Sequence, residues 1–343
     1  MKLVIFNSYQ VGCLQEDDSV IDLSQGYAAY KASEMSADSS EVDGFVLPND
    51  LLNFIVKGKI ALDLSEKIVE LIKSGNNHGP NGQKLIYKKD EVKLKAPLPS
   101  LSSRLIMTGS NFYDHGRDAL NVRGEKKYTI EDVKELIKKG KKTPWGFWKH
   151  ARNVVGPDDA IIYPERTSRL DYECELAAII GEKIKDVPQE SAMKYVYGWT
   201  IINDLSCRDQ PNDVGLKLDK NFDGSVPMGP CLVTADEVSD PYNLRIKQMV
   251  NGELRQDGST KDMIWDYSWW ISHLSRDMTL YPGDIIAGGT CSGTAMDQTP
   301  RMEGGKRSPN GYTDPKLFLK PGDKLEASIE KIGILRNKII KKN

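Results

Sequence analysis

Three carboxylates, Asp171, Glu173 and Glu175, occupy alternate positions just before an apolar run. The run predicts a β-strand, in which alternate side chains share a face and the chain rises about 3.3 Å per residue. Glu173 and Glu175 therefore share a face, with Cα atoms roughly 6 to 7 Å apart. Two such carboxylates repel unless a cation lies between them, and carboxylate oxygens are typical ligands of hard divalent cations. The alternative is a solvated sheet face on which alternating acids keep an edge strand soluble.

A further carboxylate follows the next predicted strand along the chain. That strand covers residues 196–203, and Asp204 comes directly after it. A loop at the tip of a strand can present such a side chain to the same ion as Glu173 and Glu175. These three residues are the candidate metal ligands.

Residues 1–95 are predicted to form a small N-terminal α/β domain. Short strands are expected at 2–6 and 19–23, and apolar periodicity predicts a helix over 51–73. The Pro- and Ser-rich stretch 95–103 has the composition of a linker. We therefore place the domain boundary there.

Residues 96–343 are predicted to form a second, β-rich domain that carries the candidate ligands. Short strands dominate from about residue 160 onward, and helices are expected there only at 191–196 and 264–274. This pattern disfavours a doubly wound parallel sheet with a helix after every strand. The predicted fold class is α+β and β-rich.

Composition excludes several classes of partner. Lys and Arg number 47 against 49 for Asp and Glu, so no global basic field favours nucleic acid or an anionic membrane. Five cysteines without a C-x-x-C or zinc-type spacing indicate reduced thiols. No stretch reaches transmembrane length and no signal peptide is evident. We expect a cytoplasmic protein that binds a small molecule or a second copy of itself.

Seven segments, in the same order along the chain, resemble the fumarylacetoacetate hydrolase family. They are N-F-Y-D-H-G-R-D at 111–118, F-W-K at 147–149 with V-G-P at 155–157, E-C-E at 173–175, N-D-L-S-C-R-D at 203–209, K-N-F-D at 220–223 with P-M-G-P at 227–230, V-N-G-E-L-R-Q at 250–256, and Y-P-G-D-I with G-T within 281–290. The resemblance covers most of the chain beyond residue 105. It implies a mixed β-sandwich roll, normally a homodimer, with one Mg²⁺ or Mn²⁺, or alternatively Ca²⁺, on the three candidate ligands.

The resemblance also implies a general base. His115 matches the family's catalytic histidine, and Asp118, three positions later on a helical turn, is expected to orient its imidazole. For a histidine taken alone, an ordinary surface or core role is the alternative.

The resemblance further implies a set of substrate-handling residues. Lys220 would stabilise an oxyanion, and Arg208 would hold a substrate carboxylate. The predicted substrate-binding residues are Arg208, Gln210, Lys149 and Thr290. A lone Lys or Arg is otherwise a solvated surface residue.

The sequence departs from the family pattern in three places. Gln210 directly follows Asp209 and Pro211 takes the usual Gln position, which puts its role as a substrate donor in question. Asp118 is one methylene shorter than the commoner Glu. The polar segment 295–314 is longer than the family loop and is interpreted either as a lid or as a surface insertion.

The first functional hypothesis is a metal-dependent hydrolase that cleaves a C–C bond in a 1,3-dicarbonyl acid, acylpyruvate or fumarylpyruvate-like, with water activated by His115. The alternative on the same metal site is a decarboxylase, tautomerase or hydratase/dehydratase of an oxaloacetate-like or sugar-derived 2-oxo acid. A third hypothesis is a non-catalytic metal-binding protein, which would not need His115 or Lys220.

Overall fold

The computed structural model describes residues 1–34, 45–75, 77–98, 101–122, 127–210, 215–299, 302–303, 306–307 and 315–342. The fold is α+β and rich in strands, as the sequence predicts. The helices of the described residues are α1 (Leu23–Glu34), α2 (Leu51–Lys73), α3 (Tyr113–Asn121), α4 (Ile130–Lys138), α5 (Tyr267–Ser275) and α6 (Ala295–Gln298). None of these helices is long and apolar enough to cross a membrane.

Twenty-one strands lie within the same residues. The first eleven are β1 (Lys2–Phe6), β2 (Gln10–Leu14), β3 (Val20–Asp22), β4 (Ile86–Tyr87), β5 (Leu94–Lys95), β6 (Leu105–Thr108), β7 (Gly146–Lys149), β8 (Val154–Val155), β9 (Ala160–Ile162), β10 (Leu170–Asp171) and β11 (Cys174–Ile180). The others are β12 (Val196–Asn203), β13 (Ser206–Cys207), β14 (Val226–Thr234), β15 (Arg245–Val250), β16 (Glu253–Ser259), β17 (Ile285–Thr290), β18 (Met302–Glu303), β19 (Lys306–Arg307), β20 (Lys324–Ile329) and β21 (Gly333–Ile340).

A large mixed sheet carries the candidate site. Its strands follow the order β4-β3-β2-β1-β14-β12-β11-β17-β6-β7, with β5 paired to β1 and β8 to β14. The central pairs β14, β12, β11 and β17 are antiparallel, whereas β6 runs parallel to β17. The strands that carry the predicted ligands are therefore in the middle of the sheet, where both faces are covered by protein.

A second sheet, in the order β16-β15-β20-β21-β9, packs against the large one. Its inward side chains, such as Ile246 and Ile329, join Leu176 and Trp199 of the large sheet in one buried apolar cluster. Alternation places one set of side chains of β11 in this core and the other set on the opposite face. The arrangement is the mixed sandwich that the resemblance implies.

The first 95 residues contribute strands to the large sheet rather than a sheet of their own. Leu3 of β1 pairs with Leu232 of β14, and both belong to an apolar cluster that also contains Phe54 of α2 and Ala177 of β11. The domain boundary near residue 95 stays a prediction. The hydrogen bonds between β1 and β14 join the residues on either side of it in one sheet.

The helix predicted over 51–73 coincides with α2, which bends at Gly58, where φ is 55°. The long periodic apolar face explains why this helix could be predicted. The helix predicted at 191–196 is a 3₁₀ segment, Gln189–Tyr195, and the one predicted at 264–274 begins three residues later, at Tyr267. The side chain of Asp266 caps it by accepting from the Trp269 N–H at 2.7 Å.

Candidate metal and active site

The three predicted metal ligands converge because their strands are neighbours. Cys174 of β11 pairs with Asn203 of β12. This pairing brings together the next residue beyond each strand, Glu173 and Asp204. The Asp204 N–H donates to the Glu173 carbonyl at 2.8 Å. One carboxylate oxygen from each of Glu173, Glu175 and Asp204 lies within 4.8 Å of the others. All three side chains are buried. Such a cluster needs compensating positive charge.

Lys220 supplies part of that charge. Its Nζ lies 2.6 Å from Glu173 Oε2 and 2.7 Å from Asp204 Oδ2. Burial alone would lower the pKa of Lys220, but the charges of Asp204 and Glu173 outweigh burial and raise it above its usual value. In this structure the ammonium therefore bridges two carboxylates, rather than standing free for an oxyanion as the sequence interpretation expected.

Lys149 lies beneath Asp204 and is fully enclosed. Its Nζ is 2.5 Å from Asp204 Oδ1, an ion pair without hydrogen-bond alignment, and it donates to the Leu205 and Ser225 carbonyls at 3.1 and 2.7 Å. Burial lowers the pKa of Lys149 despite the adjacent Asp204 charge. The Lys149 side chain is 0 % exposed, and its substrate-binding role stays a prediction.

Arg208 is likewise committed to carboxylates. Its Nε donates to Asp171 Oδ2 at 2.9 Å, and its Nη2 donates to Glu173 Oε1 in a very short contact. Arg208 thus holds a metal-ligand carboxylate in place, whereas the resemblance implied a substrate carboxylate as its partner. The burial of Glu173 opposes ionisation, but the charges of Arg208 and Lys220 hold its pKa well below the usual range.

Asp171, the first of the alternating acids, is a buried structural part of the site. Its side chain is fully buried and accepts from the backbone N–H groups of Ala295 and Met296 at 2.8 and 3.1 Å, in addition to Arg208. Asp171 therefore anchors the first turn of α6 to the strand that leads to the metal ligands.

Glu175 differs from the other two candidate ligands because no cationic side chain pairs with it among the described residues. It accepts from the Gly289 N–H at 2.9 Å. Burial and the negative charges of Asp204 and Glu173 raise the pKa of Glu175 well above its usual value. An ionised Glu175 consequently requires another cation nearby, and an all-oxygen set of three carboxylates fits Mg²⁺ or Mn²⁺.

His115 projects from the first turn of α3 toward this cluster. Its Nε2 lies 4.0 Å from Glu173 Oε1, and its Nδ1 lies 2.9 Å from Asp297 Oδ2. Burial by itself lowers the pKa of His115, but the neighbouring carboxylates, Asp297 first and then Glu173, raise it above its usual value. The hydrogen bond to Asp297 favours the tautomer with a proton on Nδ1, which leaves Nε2 free to accept one.

The expected partner of His115, Asp118, is therefore corrected. The Asp118 carboxylate pairs with the Arg117 guanidinium, at 2.6 Å from Nε, and accepts a short hydrogen bond from the Ser292 hydroxyl. The acid that contacts the imidazole is Asp297, which lies in the first turn of α6. Sequence reasoning missed it: the capping box Thr294 to Asp297 marks the start of a helix, but nothing in the sequence relates it to a histidine 182 positions away.

Two further predicted substrate donors are already engaged by protein groups. The Thr290 hydroxyl donates to the Cys174 carbonyl at 2.8 Å and accepts from Gln256 Nε2 at 2.8 Å. The Gln210 side chain donates to the Arg166 carbonyl, away from the carboxylates. Thr290 still forms part of the cavity wall, whereas Gln210 is not among the described residues that line the cavity.

A cavity of about 70 Å³ lies against the carboxylates and His115. Besides the residues already named, its wall includes Gly109, Trp145, Phe147 and Met296. The site thus combines a candidate cation centre, one oriented imidazole and a confined space in which a small ligand can meet both.

Comparisons with known proteins agree with this site. The model of the fumarylacetoacetate (FAA) hydrolase C-terminal domain matches residues 104–340. The chain is 35% identical over 337 residues to oxaloacetate tautomerase YisK of Bacillus subtilis (strain 168), covering 98% of this chain and 97% of that protein. The chain belongs to the fumarylacetoacetate hydrolase family.

Solved structures show the same fold. A fumarylacetoacetate hydrolase from psychrophilic Exiguobacterium antarcticum matches with a TM-score of 0.71 and 30% identity, covering all of both chains. Maleylpyruvate hydrolase from Sphingobium sp. SYK-6, in complex with manganese(II) ion and pyruvate, matches with a TM-score of 0.68 and 23% identity, also over all of both chains. The family thus includes tautomerases as well as hydrolases, and the particular reaction has to be inferred from the site.

Proposed function

We propose that this protein is a divalent-metal-dependent tautomerase that interconverts the keto and enol forms of an oxaloacetate-like 2-oxo acid. The observation that carries the proposal is the pairing in the site. His115 Nε2 points toward the carboxylates, 4.0 Å from Glu173 Oε1. Lys220, expected to stabilise the oxyanion of a hydrolytic reaction, and Arg208, expected to hold a substrate carboxylate, are instead paired with carboxylates of the protein. Tautomerisation needs a base that moves one proton, and it forms no tetrahedral intermediate. The full-length similarity to a tautomerase supports the same choice.

Each residue of the site has its own role in the proposed reaction. Asp297 fixes the imidazole tautomer and stabilises the imidazolium that forms when Nε2 takes the proton from carbon 3 of the keto acid. The electron pair of that C–H bond becomes the C=C bond, and the pair of the C=O π bond moves to the carbonyl oxygen. That oxygen takes a proton from water, and the imidazolium returns its proton to the solvent. Glu173, Glu175 and Asp204 would hold a Mg²⁺ or Mn²⁺ ion, which when bound supplies Lewis-acid polarisation of the 2-oxo carbonyl.

The test is a spectroscopic assay of oxaloacetate. Freshly dissolved enol would be mixed with purified protein and Mn²⁺ or Mg²⁺, and the loss of enol absorbance followed against protein-free buffer containing the same metal. We expect faster loss with the protein, abolition by a chelator, and a decrease of about 10²- to 10⁴-fold for His115→Ala. Enol loss at the buffer rate with the metal present would refute the proposal.

C–C bond hydrolysis is the second candidate, favoured by the full-length match to a fumarylacetoacetate hydrolase. Acetylpyruvate offered to the same preparation distinguishes the two reactions, because hydrolysis releases acetate and pyruvate in equal amounts whereas tautomerisation releases neither.

The homodimer and the cytoplasmic location stay predictions. Light scattering of the purified protein tests the homodimer.

A further inference from the structure

The active-site cavity is narrow. Its volume of about 70 Å³ admits a few water molecules, each of which needs about 10 to 15 Å³ on the same measure. A substrate that enters it lies against the cavity wall. The group that forms the outer wall decides which substrates fit.

Trp145 is the lining residue with the most exposed position among those named above. It precedes β7 and its residue is 45 % exposed, whereas Phe147, Met296 and His115 are each below 10 %. Its indole lies directly on the backbone of Gly109: a Cβ built there would be 2.2 Å from Trp145 Cε2. The Gly109 N–H also donates to the Trp145 carbonyl at 2.9 Å. The absence of a side chain at 109 thus lets the indole rest against the end of β6.

The wall continues from Trp145 toward the carboxylates. The ring centroids of Trp145 and Phe147 are 6.0 Å apart at 30°, and Lys220 Nζ lies 5.1 Å from the centroid of the Phe147 ring. An aromatic surface therefore leads from the solvent edge to the ammonium that bridges Glu173 and Asp204. Removing the indole would extend the cavity outward without opening the apolar core.

We propose that Trp145 is a specificity-determining residue that restricts the site to short 2-oxo acids and excludes those with a bulky group on carbon 3. The inference rests on the proposed function, since it concerns the substrate class of the same site. A single methylene in an apolar pocket changes selectivity by about 10- to 200-fold, so an indole that blocks an entire ring is expected to act at least as strongly.

The test compares two ligands of different size on the metal-loaded protein. Oxaloacetate represents the short class and phenylpyruvate, which also has keto and enol forms, the bulky class. For Trp145→Ala we expect the ratio of kcat/KM for phenylpyruvate to that for oxaloacetate to rise at least about tenfold, with a smaller rise for Trp145→Phe. Trp148→Ala is the matched control: Trp148 is 49 % exposed and, by strand alternation, lies on the opposite face of β7 from Phe147.

Calorimetric titration of the same proteins with oxalate and phenylpyruvate separates this inference from the proposed function. If the wild-type protein converts no oxaloacetate, the proposed function fails, and the ratio of the affinities for phenylpyruvate and oxalate alone tests the role of Trp145. The assignment is overturned if this affinity ratio in Trp145→Ala is within twofold of the wild-type ratio while the affinity for oxalate is unchanged. An equal rise in Trp148→Ala would also overturn it, because it would show that a general loosening of β7 is the cause.

Discussion

Replacing Asp297 by Asn tests whether this acid orients the imidazole of His115. The substitution keeps the shape of the side chain and an oxygen that can accept from the Gly293 and Thr294 N–H groups, now at 3.1 and 3.2 Å from Oδ2. The start of α6 should therefore survive. What is lost is the negative charge 2.9 Å from His115 Nδ1.

The size of the effect follows from the burial of this pair. The His115 and Asp297 side chains are 5% and 1% exposed, so solvent does not replace the lost interaction. A hydrogen bond to a charged group contributes about 1.5–3 kcal/mol, which corresponds to about 10- to 150-fold in kcat. If the new amide donates to Nδ1, the wrong tautomer is favoured and the loss approaches about 10⁴-fold, as in a serine-protease triad whose Asp becomes Asn.

The assay is oxaloacetate tautomerisation at saturating metal, with kcat and KM determined separately. We expect kcat to fall within the range above and KM to change little, since Asp297 is placed to act through His115. Asp118→Asn is the control, because that carboxylate contacts Arg117 and Ser292 instead. Its kcat should fall by no more than about threefold, as expected for a partly buried polar contact away from the imidazole. A nearly unchanged kcat for Asp297→Asn, or a larger loss for Asp118→Asn, would refute the assignment of the orienting acid.

Three other predictions concern metal binding and stability. Glu175→Gln should weaken Mn²⁺ binding in calorimetry, and an unchanged affinity would contradict the ligand assignment. The thermal stability of the metal-free protein should stay equal or rise, because burial and like charges disfavour the ionised carboxylate. Mn²⁺ at a hundred times its Kd should stabilise the fold by about 2.7 kcal/mol in denaturant titrations, and a chelator should reverse this. Asp171→Ala should destabilise the metal-free protein by about 3–5 kcal/mol in the same titrations, because the buried Arg208 guanidinium loses a partner and α6 loses its anchor; a loss below 1 kcal/mol would contradict that role.

The ligand strand could be predicted from the sequence because its information is local. Alternation alone places Glu175 of β11 and Glu173, directly before β11, on one side of the chain. Asp204, directly after β12, comes to them once the two strands pair. Helix α2 and its bounds follow from apolar periodicity in the same way. These features depend on residues that are close in sequence.

The partners of the site residues could not be predicted, because they depend on how distant elements pack. The contact of His115 with Asp297 requires α6 to lie against α3, and its sequence signal, an acid three positions after a threonine, is shared by ordinary helix caps. Helical spacing favours Asp118, the acid nearer to His115 in sequence. The Asp118 carboxylate is instead bound by Arg117 and Ser292. Spacing gives the acids within reach of a histidine, and tertiary packing decides between them.

Charge balance links the metal and the base. Five buried carboxylates surround the cavity or contact its lining: Asp171, Glu173, Glu175, Asp204 and Asp297. Among the described residues, three permanent cations are paired with them: Lys149, Lys220 and Arg208. Two formal negative charges are left when all the carboxylates are ionised. Protonation of His115 and of Glu175 would compensate these two charges, and the pKa of each group is raised above its usual value.

A divalent cation would bring the same cluster to neutrality with His115 uncharged, which is the form in which Nε2 can accept a proton. The metal would therefore do more than polarise the substrate carbonyl, because its charge would also release the imidazole for use as a base. A neutral amide at Glu175 therefore lowers activity in two ways. The metal loses one anionic ligand, and its weaker binding leaves His115 protonated in a larger share of the molecules. Loss of activity in Glu175→Gln should then be only partly recovered at saturating Mn²⁺.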